Sequence, residues 1–234
     1  MGKKYAAVVL AAGSGKRMNT KVHKQYLIIQ GRPVLYYSLN AFEQSPVDEI
    51  ILVVGRGEVE YCRKEIVEKY SFSKVTKIIE GGKERYHSVF EGLKQIKNAD
   101  YVLIHDGARP FVDMEIIKRT MASVEEYQAC VVGMPVKDTI KIADEEQYVK
   151  NTPERKNVWM IQTPQAFSYP LIYSAYEEML QKEDSAITDD AMVLERVKGI
   201  KAKLIEGSYR NIKITTPEDL LIADAYMKSP ENRD

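Results

Sequence analysis

The chain has 234 residues, with 34 Lys plus Arg against 34 Asp plus Glu, so its formal net charge is zero. This length predicts one large domain or at most two small ones, and the 44% hydrophobic and 29% charged shares are those of an ordinary globular protein. A non-specific nucleic-acid binder or a polybasic membrane binder needs an excess of positive charge. We therefore expect no nucleic-acid partner and no membrane partner, and any anion site must be local.

The cysteines and the apolar runs indicate a reduced protein without a membrane span. Cys62 and Cys130 are far apart and match no metal spacing, which is typical of free thiols in a reducing cytosol. The longest apolar run, 5–12, is well short of the roughly 20 residues that cross a bilayer. Lys3 and Lys4 before this run imitate a short secretory signal, but the unit is too short. We interpret it as a buried first strand and expect a cytoplasmic protein.

Apolar segments of strand length alternate with segments of helical period, which is the pattern of a parallel sheet wrapped by helices. The strand segments are nearly continuous apolar runs, as expected for strands covered on both faces. In chain order, the predicted strands are 5–10, 49–54, 75–80, 101–105 and 129–134. The predicted helices are 59–70, 88–96, 116–127, 170–181, 188–197 and a last one that starts at 216. The sequence therefore predicts an α/β fold with a doubly wound, mostly parallel sheet.

The pattern changes between residues 135 and 164, where two short alternating segments flank an acidic turn at 144–146. We predict a β-hairpin arm over 136–162 that leaves the sheet. An isolated hairpin is marginally stable, so we expect the arm to pack against a second copy of the chain in a homodimer. The whole chain, 1–234, is predicted to form a single domain from which this arm extends.

The loops after the first four predicted strands combine glycine with charge, and ligands bind at this edge of such sheets. The first loop has small residues followed by Lys16 and Arg17. It is not a P-loop, because Leu10 stands where that motif needs glycine and Arg17 stands where it needs Ser or Thr. It also fails the dinucleotide fingerprint, since Met18 replaces the third glycine. We interpret it as a phosphate cradle of another kind.

Three further features could contribute to an anion site. Asp106 follows the fourth strand, where a carboxylate beside a basic loop could bind Mg²⁺ together with a phosphate, although a turn or cap aspartate is the alternative. The turn at 81–85 leads into a helix and suits an anion or a base edge. Lys213 is another cation near a strand end, or simply a surface lysine. The three histidines are scattered, so we expect no zinc site, and His105 is expected to be structural.

Eight motifs lie along nearly the whole chain: Leu10-Ala-Ala-Gly-Ser-Gly-Lys-Arg-Met18, Lys24-Gln-Tyr26, Gly81-Gly-Lys-Glu-Arg85 with Ser88-Val89, His105-Asp-Gly-Ala-Arg-Pro-Phe111, Pro135-Val-Lys-Asp-Thr139, Thr163-Pro-Gln165 with Phe167, Thr188-Asp-Asp190, and Asn211-Ile-Lys-Ile-Thr215 with Pro217-Glu-Asp219. Together and in this order they resemble the 2-C-methyl-D-erythritol 4-phosphate cytidylyltransferases, which use CTP in the non-mevalonate isoprenoid pathway. The resemblance implies a Rossmann-like fold and a homodimer in which the arm reaches the neighbour's active site.

The resemblance also assigns roles to individual residues. The expected nucleotide-binding residues are Ala11, Ala12, Gly13, Gly82 and Ser88. The expected catalytic cations around the phosphates are Arg17, Lys24 and Lys213. The expected substrate-binding residues are Asp106, Arg109 and Thr188, with Thr139 and Arg155 from the partner's arm. Asp106 is also the expected ligand of Mg²⁺, or of another divalent cation.

The implied activity is transfer of CMP from CTP to 2-C-methyl-D-erythritol 4-phosphate. A ribitol 5-phosphate cytidylyltransferase is the closest alternative, because both acceptors are phosphorylated polyols. A Rossmann NAD-dependent oxidoreductase is more remote, since 55–57 offers no ribose-binding acid after the second strand. A non-catalytic nucleotide-binding regulator is the third alternative, and the set of cations argues against it.

Overall fold

A computed structural model describes residues 2–13, 23–181 and 187–229. The strands are β1 (Tyr5–Ala11), β2 (Ile28–Ile29), β3 (Arg32–Pro33), β4 (Glu49–Val54), β5 (Val75–Glu80), β6 (Tyr101–Asp106), β7 (Ala129–Pro135), β8 (Ile142–Ala143), β9 (Val149–Asn151), β10 (Trp159–Ser168) and β11 (Lys203–Glu206). The helices are α1 (Val34–Gln44), α2 (Val59–Cys62), α3 (Arg85–Leu93), α4 (Met114–Tyr127), α5 (Tyr169–Gln181), α6 (Asp190–Lys198) and α7 (Pro217–Lys228).

Within the described residues, seven strands form one sheet in the order β11-β7-β10-β6-β1-β4-β5. Strand β1 pairs in parallel with β4 and β6, whereas β10 runs antiparallel to its neighbours β6 and β7. Successive residues of β1 face opposite sides of the sheet. Ala7 and Val9 join a core with α1 and α4, and Ala6 and Val8 join a second core with α3, α5 and α6. Both faces are thus covered, which explains the continuous apolar runs.

The predicted fold class is confirmed, and the five predicted strands are all present to within one residue at their ends. Helix α6 begins after Asp189, whose Oδ1 accepts a hydrogen bond from the Met192 amide at 3.0 Å. The predicted last helix has Thr216 as its N-cap in a capping box with Asp219. Only the first turn of the predicted helix over 59–70 is α-helical. After α2 the chain continues as a π-helical segment, Arg63–Glu68.

The sequence prediction missed two strands of the sheet, β10 and β11, and this changes the bounds of the arm. Trp159 pairs with Pro135 of β7, so residues 159–162 belong to the central sheet. The hairpin itself is the short ladder between β8 and β9. Its residues are exposed, including Tyr148 (70%) and Val149 (61%).

None of the helices in the described part of the chain is long and apolar enough to cross a membrane. Cys62 and Cys130 are both buried free thiols.

Replacing Leu103 by Ala should reduce the free energy of unfolding by about 2–5 kcal/mol, because this fully buried side chain lies in the middle of β6. The matched control is Leu221→Ala on α7, where the side chain is 74% exposed and the expected change is within about 0.5 kcal/mol. Urea unfolding of both variants measures the difference. Equal effects would contradict the assigned core.

Candidate active site

The carboxyl ends of β1 and β6 meet where the sequence predicts a ligand site. Leu10 lies opposite Asp106 in the sheet, and the Gly107 amide donates to the Leu10 carbonyl at 2.8 Å. A Cβ atom at Gly107 would lie 2.8 Å from Leu35 Cδ1 and 3.1 Å from that carbonyl oxygen. Glycine is therefore favoured where the chain turns away from β6, and the first loop and Asp106 become neighbours.

A cavity of about 310 Å³ opens between the ends of β1, β6 and α3. It is lined by Leu10, Ala11, Ala12, Gly13, Lys24, Gln25, Gly82, Lys83, Glu84, Arg85, Ser88, Asp106, Ala108 and Lys213. All five predicted nucleotide-binding residues and two of the three predicted catalytic cations are in this set. The third, Arg17, lies outside the described residues.

The loop before α3 is packed closely against the first loop. A Cβ atom at Gly81 would lie 2.6 Å from both Ala12 Cβ and Ser88 Oγ. The Gly82 amide donates to Ser88 Oγ at 3.1 Å, and this hydroxyl lies 3.2 Å from the Glu84 carbonyl oxygen, to which it donates. These contacts hold backbone groups of both loops at the cavity wall, as the sequence predicts for an anion or base site.

A second cavity, of about 290 Å³, adjoins the first. It is lined by Arg85, Asp106, Arg109, Ile161, Gln162, Thr163, Gln165, Thr188, Asp189 and Lys213. Three predicted substrate-binding residues, Asp106, Arg109 and Thr188, are in this set. Arg85, Asp106 and Lys213 line both cavities and form a shared wall.

The Asp106 carboxylate is the electrostatic centre of this wall. Lys213 Nζ lies 2.7 Å from Oδ2, and Arg85 Nε lies 3.4 Å from Oδ1. Burial alone would raise the pKa of Asp106, but the positive charges of Arg85, Lys213 and Arg109 outweigh it and hold this pKa well below its usual range. Asp106 is therefore ionised, and it fixes two cations at the junction of the cavities.

Hydrogen bonds among buried residues fix the backbone next to Asp106. Thr163 Oγ1 accepts from the Asp106 amide at 3.0 Å and lies 3.1 Å from His105 Nδ1. Arg109 Nη1 donates to the Asn211 carbonyl at 2.8 Å. Burial lowers the pKa of His105 to about 4, so its imidazole is neutral near pH 7. This agrees with the structural role expected from the sequence.

The residues at the shared wall do not fit a magnesium ion held by protein ligands. Both Asp106 oxygens already contact cationic groups, Lys213 and Arg85. No group of three His, Cys, Asp or Glu side chains within 2–13, 23–181 and 187–229 could hold a metal ion. That Asp106 binds Mg²⁺ together with a phosphate stays a prediction.

The two predicted arm residues lie away from both cavities within this chain. Thr139 and Arg155 are exposed, and Arg155 Nη1 donates to the Lys137 carbonyl at 3.2 Å. Sequence reasoning gave no role to Arg85, Asp190 and Gln165, although all three lie in the quoted motifs. Their importance becomes visible only from their contacts across the fold.

A mostly parallel sheet with ligand cavities at its carboxyl edge is a Rossmann-like arrangement, and the cations at this edge favour a phosphorylated ligand such as a nucleotide. The family model described as IspD, 2-C-methyl-D-erythritol 4-phosphate cytidylyltransferase, matches residues 5–229. The chain belongs to this family, which confirms the family and the enzyme class that the motifs indicated.

Individual relatives cover the chain almost completely. A 2-C-methyl-D-erythritol 4-phosphate cytidylyltransferase of Lachnoclostridium phytofermentans is 49% identical over 98% of this chain and 99% of its own length. One of Lachnospira eligens is 53% identical over 95% of this chain and 98% of its own length. The crystal structure of the 4-diphosphocytidyl-2C-methyl-D-erythritol synthase from Anaerococcus prevotii superposes with a TM-score of 0.85 at 39% identity and covers 97% of both chains.

His105 should make the stability of the protein depend on pH. The pKa of His105 is about 4 in the folded state and about 6.5 in the unfolded chain. Between these two pH values, the imidazole is therefore protonated in the unfolded chain and neutral in the folded protein. The free energy of unfolding should therefore fall by about 3 kcal/mol from this group as the pH falls from 7 to 4. Urea unfolding at both pH values should show a weaker pH dependence in His105→Gln than in the wild type. An identical dependence would contradict the neutral, buried imidazole.

Proposed function

We propose that this protein transfers CMP from CTP to 2-C-methyl-D-erythritol 4-phosphate, giving 4-diphosphocytidyl-2-C-methyl-D-erythritol and pyrophosphate for isoprenoid precursor synthesis. The single observation that carries the proposal is the pair of adjoining cavities with the shared wall of Arg85, Asp106 and Lys213. The first cavity combines backbone groups with cations, as a nucleoside triphosphate requires. The second is smaller and polar, which suits a phosphorylated polyol.

The chemistry follows from the charges of the two substrates. A phosphate oxygen of the acceptor attacks the α-phosphorus of CTP and forms a new P–O bond. The bond from the α-phosphorus to the bridging oxygen breaks, and pyrophosphate leaves with the electron pair. The attacking oxygen is already anionic, so no general base is needed. The neutral imidazole of His105 contacts Thr163 and the Arg109 carbonyl inside the protein, and it is not required as a base.

The main catalytic requirement is neutralisation, because two anionic substrates must approach each other and charge builds on the leaving group. Lys24 and Lys213 line the first cavity, and Arg109 lines the second. Arg109 Nε is buried without a hydrogen-bond partner among the described residues, which is unfavourable unless a ligand supplies one. Arg17 completes the proposed set as a prediction from the family motif.

Two further parts of the proposal rest on the family alone. The reaction is expected to need Mg²⁺ or another divalent cation, with the triphosphate oxygens as its natural ligands. The predicted cytoplasmic location also stays a prediction.

The acceptor is tested by pyrophosphate release with 2-C-methyl-D-erythritol 4-phosphate and ribitol 5-phosphate side by side. We expect turnover with the first and little with the second, and the reverse would favour the alternative cytidylyltransferase. CTP with Mg²⁺ should raise the melting temperature, whereas NAD should not. Tight CTP binding without turnover of either acceptor would favour a regulator.

Replacing Lys24 by Ala should lower kcat by roughly two or more orders of magnitude, because a preorganised cation beside the reacting phosphates is lost. Lys94→Ala, directly after the last residue of α3, is the matched control and should keep the wild-type kcat. Steady-state pyrophosphate release measures both. A near-wild-type kcat in Lys24→Ala would remove this residue from the transition state.

We also propose that two copies of the chain pair through the arm, with Thr139 and Arg155 approaching the acceptor in the partner's site. The hairpin exposes Ile142, Tyr148 and Val149, and an apolar surface of this kind favours a protein contact. Arg155 lines neither cavity of its own chain, which supports a contribution to the partner's site.

Mixing Arg155→Ala chains with Lys24→Ala chains tests the shared site. Heterodimers should regain activity, because one of their two sites combines an intact Lys24 with an intact Arg155 from the partner. Each variant alone, carried through the same subunit exchange, is the control. No recovery in verified heterodimers would show that Arg155 acts within its own subunit or only in folding.

A further inference from the structure

Arg85 occupies a position that the proposed mechanism has not used. It is the first residue of α3, directly after the loop with Gly82, and its side chain lines both cavities. The side chain is 30% exposed, so it reaches the site from a largely packed position.

A buried carboxylate locks the Arg85 guanidinium in place. Nη1 and Nη2 donate to Oδ1 and Oδ2 of Asp190 at 2.8 Å each, which is a bidentate fork. The Asp190 side chain is fully buried, and Tyr176 Oη donates to its Oδ1 at 2.5 Å. Gln165 Oε1 accepts from the Asp190 amide at 3.0 Å and thereby fixes the start of α6.

The remaining edge of the Arg85 guanidinium faces Asp106 at the wall shared by the two cavities. Arg85 Nε donates to Asp106 Oδ1 at 3.4 Å, while Lys213 Nζ holds Oδ2 at 2.7 Å. Polar contacts therefore run from Tyr176 through Asp190, Arg85 and Asp106 to Lys213. They connect the loop on the nucleotide side with the start of α6, and the two residues just before this helix, Thr188 and Asp189, line the second cavity.

We propose that Arg85 is a positioning residue for cytidylyl transfer: anchored by Asp190, it orients Asp106 and, through it, the Lys213 ammonium at the junction of the two cavities. This inference rests on the proposed function. Lysine cannot replace arginine here, because an ammonium group cannot bind both Asp190 oxygens in a planar fork and also present Nε to Asp106. A displacement of about 1 Å in a positioned group can cost about 100-fold in rate.

The test compares wild type, Arg85→Lys and the neutral pair Arg85→Gln/Asp190→Asn, which leaves no unpaired buried charge if the single variant fails to fold. Arg119→Lys is the matched control, because Arg119 donates Nε to the Glu206 carbonyl away from both cavities. Pyrophosphate release gives kcat and both KM values, and calorimetric titration with CTP gives the affinity and the fraction of chains that bind.

We expect kcat to fall about 100-fold in Arg85→Lys and in the neutral pair, with the KM for CTP and the CTP stoichiometry close to wild type. Arg119→Lys should match the wild type throughout. A kcat within threefold of wild type in both Arg85 variants would overturn the proposal. So would a CTP stoichiometry that falls in proportion to kcat, because that pattern reports lost folded protein. Failure of the wild type itself to turn over would instead refute the proposed function.

Discussion

The site is organised around one buried carboxylate, Asp106, which β6 carries to the carboxyl edge of the sheet. An isolated buried carboxylate is costly, and this one is stable because three cationic side chains surround it. The same contacts restrict the cations, since Lys213 and Arg85 are each bound to one of its oxygens. The wall between the two cavities is thus a set of paired opposite charges.

The zero net charge of the whole chain differs from the local balance of charges at this site. The balance of 34 cations and 34 acids argues against a long polyanion as partner, but it says nothing about local potential. At the sheet edge, the linings of the two cavities hold five cationic side chains against three carboxylates, and the buried Asp190 pairs with one of these cations, Arg85. Cationic groups therefore outnumber acidic ones where two small phosphorylated substrates would meet.

The sequence predicted the parallel core well because its strands are covered on both faces and read as continuous apolar runs. It missed β10 because the buried centre of this strand is polar. Gln162, Thr163 and Gln165 are satisfied by hydrogen bonds to other segments, and Pro164 interrupts the strand pattern. The predicted nucleotide residues fall together at one cavity because motifs at strand ends converge by topology. The Arg85 to Asp190 pair could not be predicted in this way, since 105 residues separate its members and only the folded chain brings them into contact.

In the proposed mechanism, the acceptor phosphate attacks CTP directly across the wall between the two cavities. The stereochemical course at phosphorus tests it, with CTP made chiral at the α-phosphorus by sulfur substitution and 2-C-methyl-D-erythritol 4-phosphate as the acceptor. A single in-line displacement predicts inversion of configuration in the product. Retention would require two successive displacements through a covalent enzyme intermediate and would contradict the account.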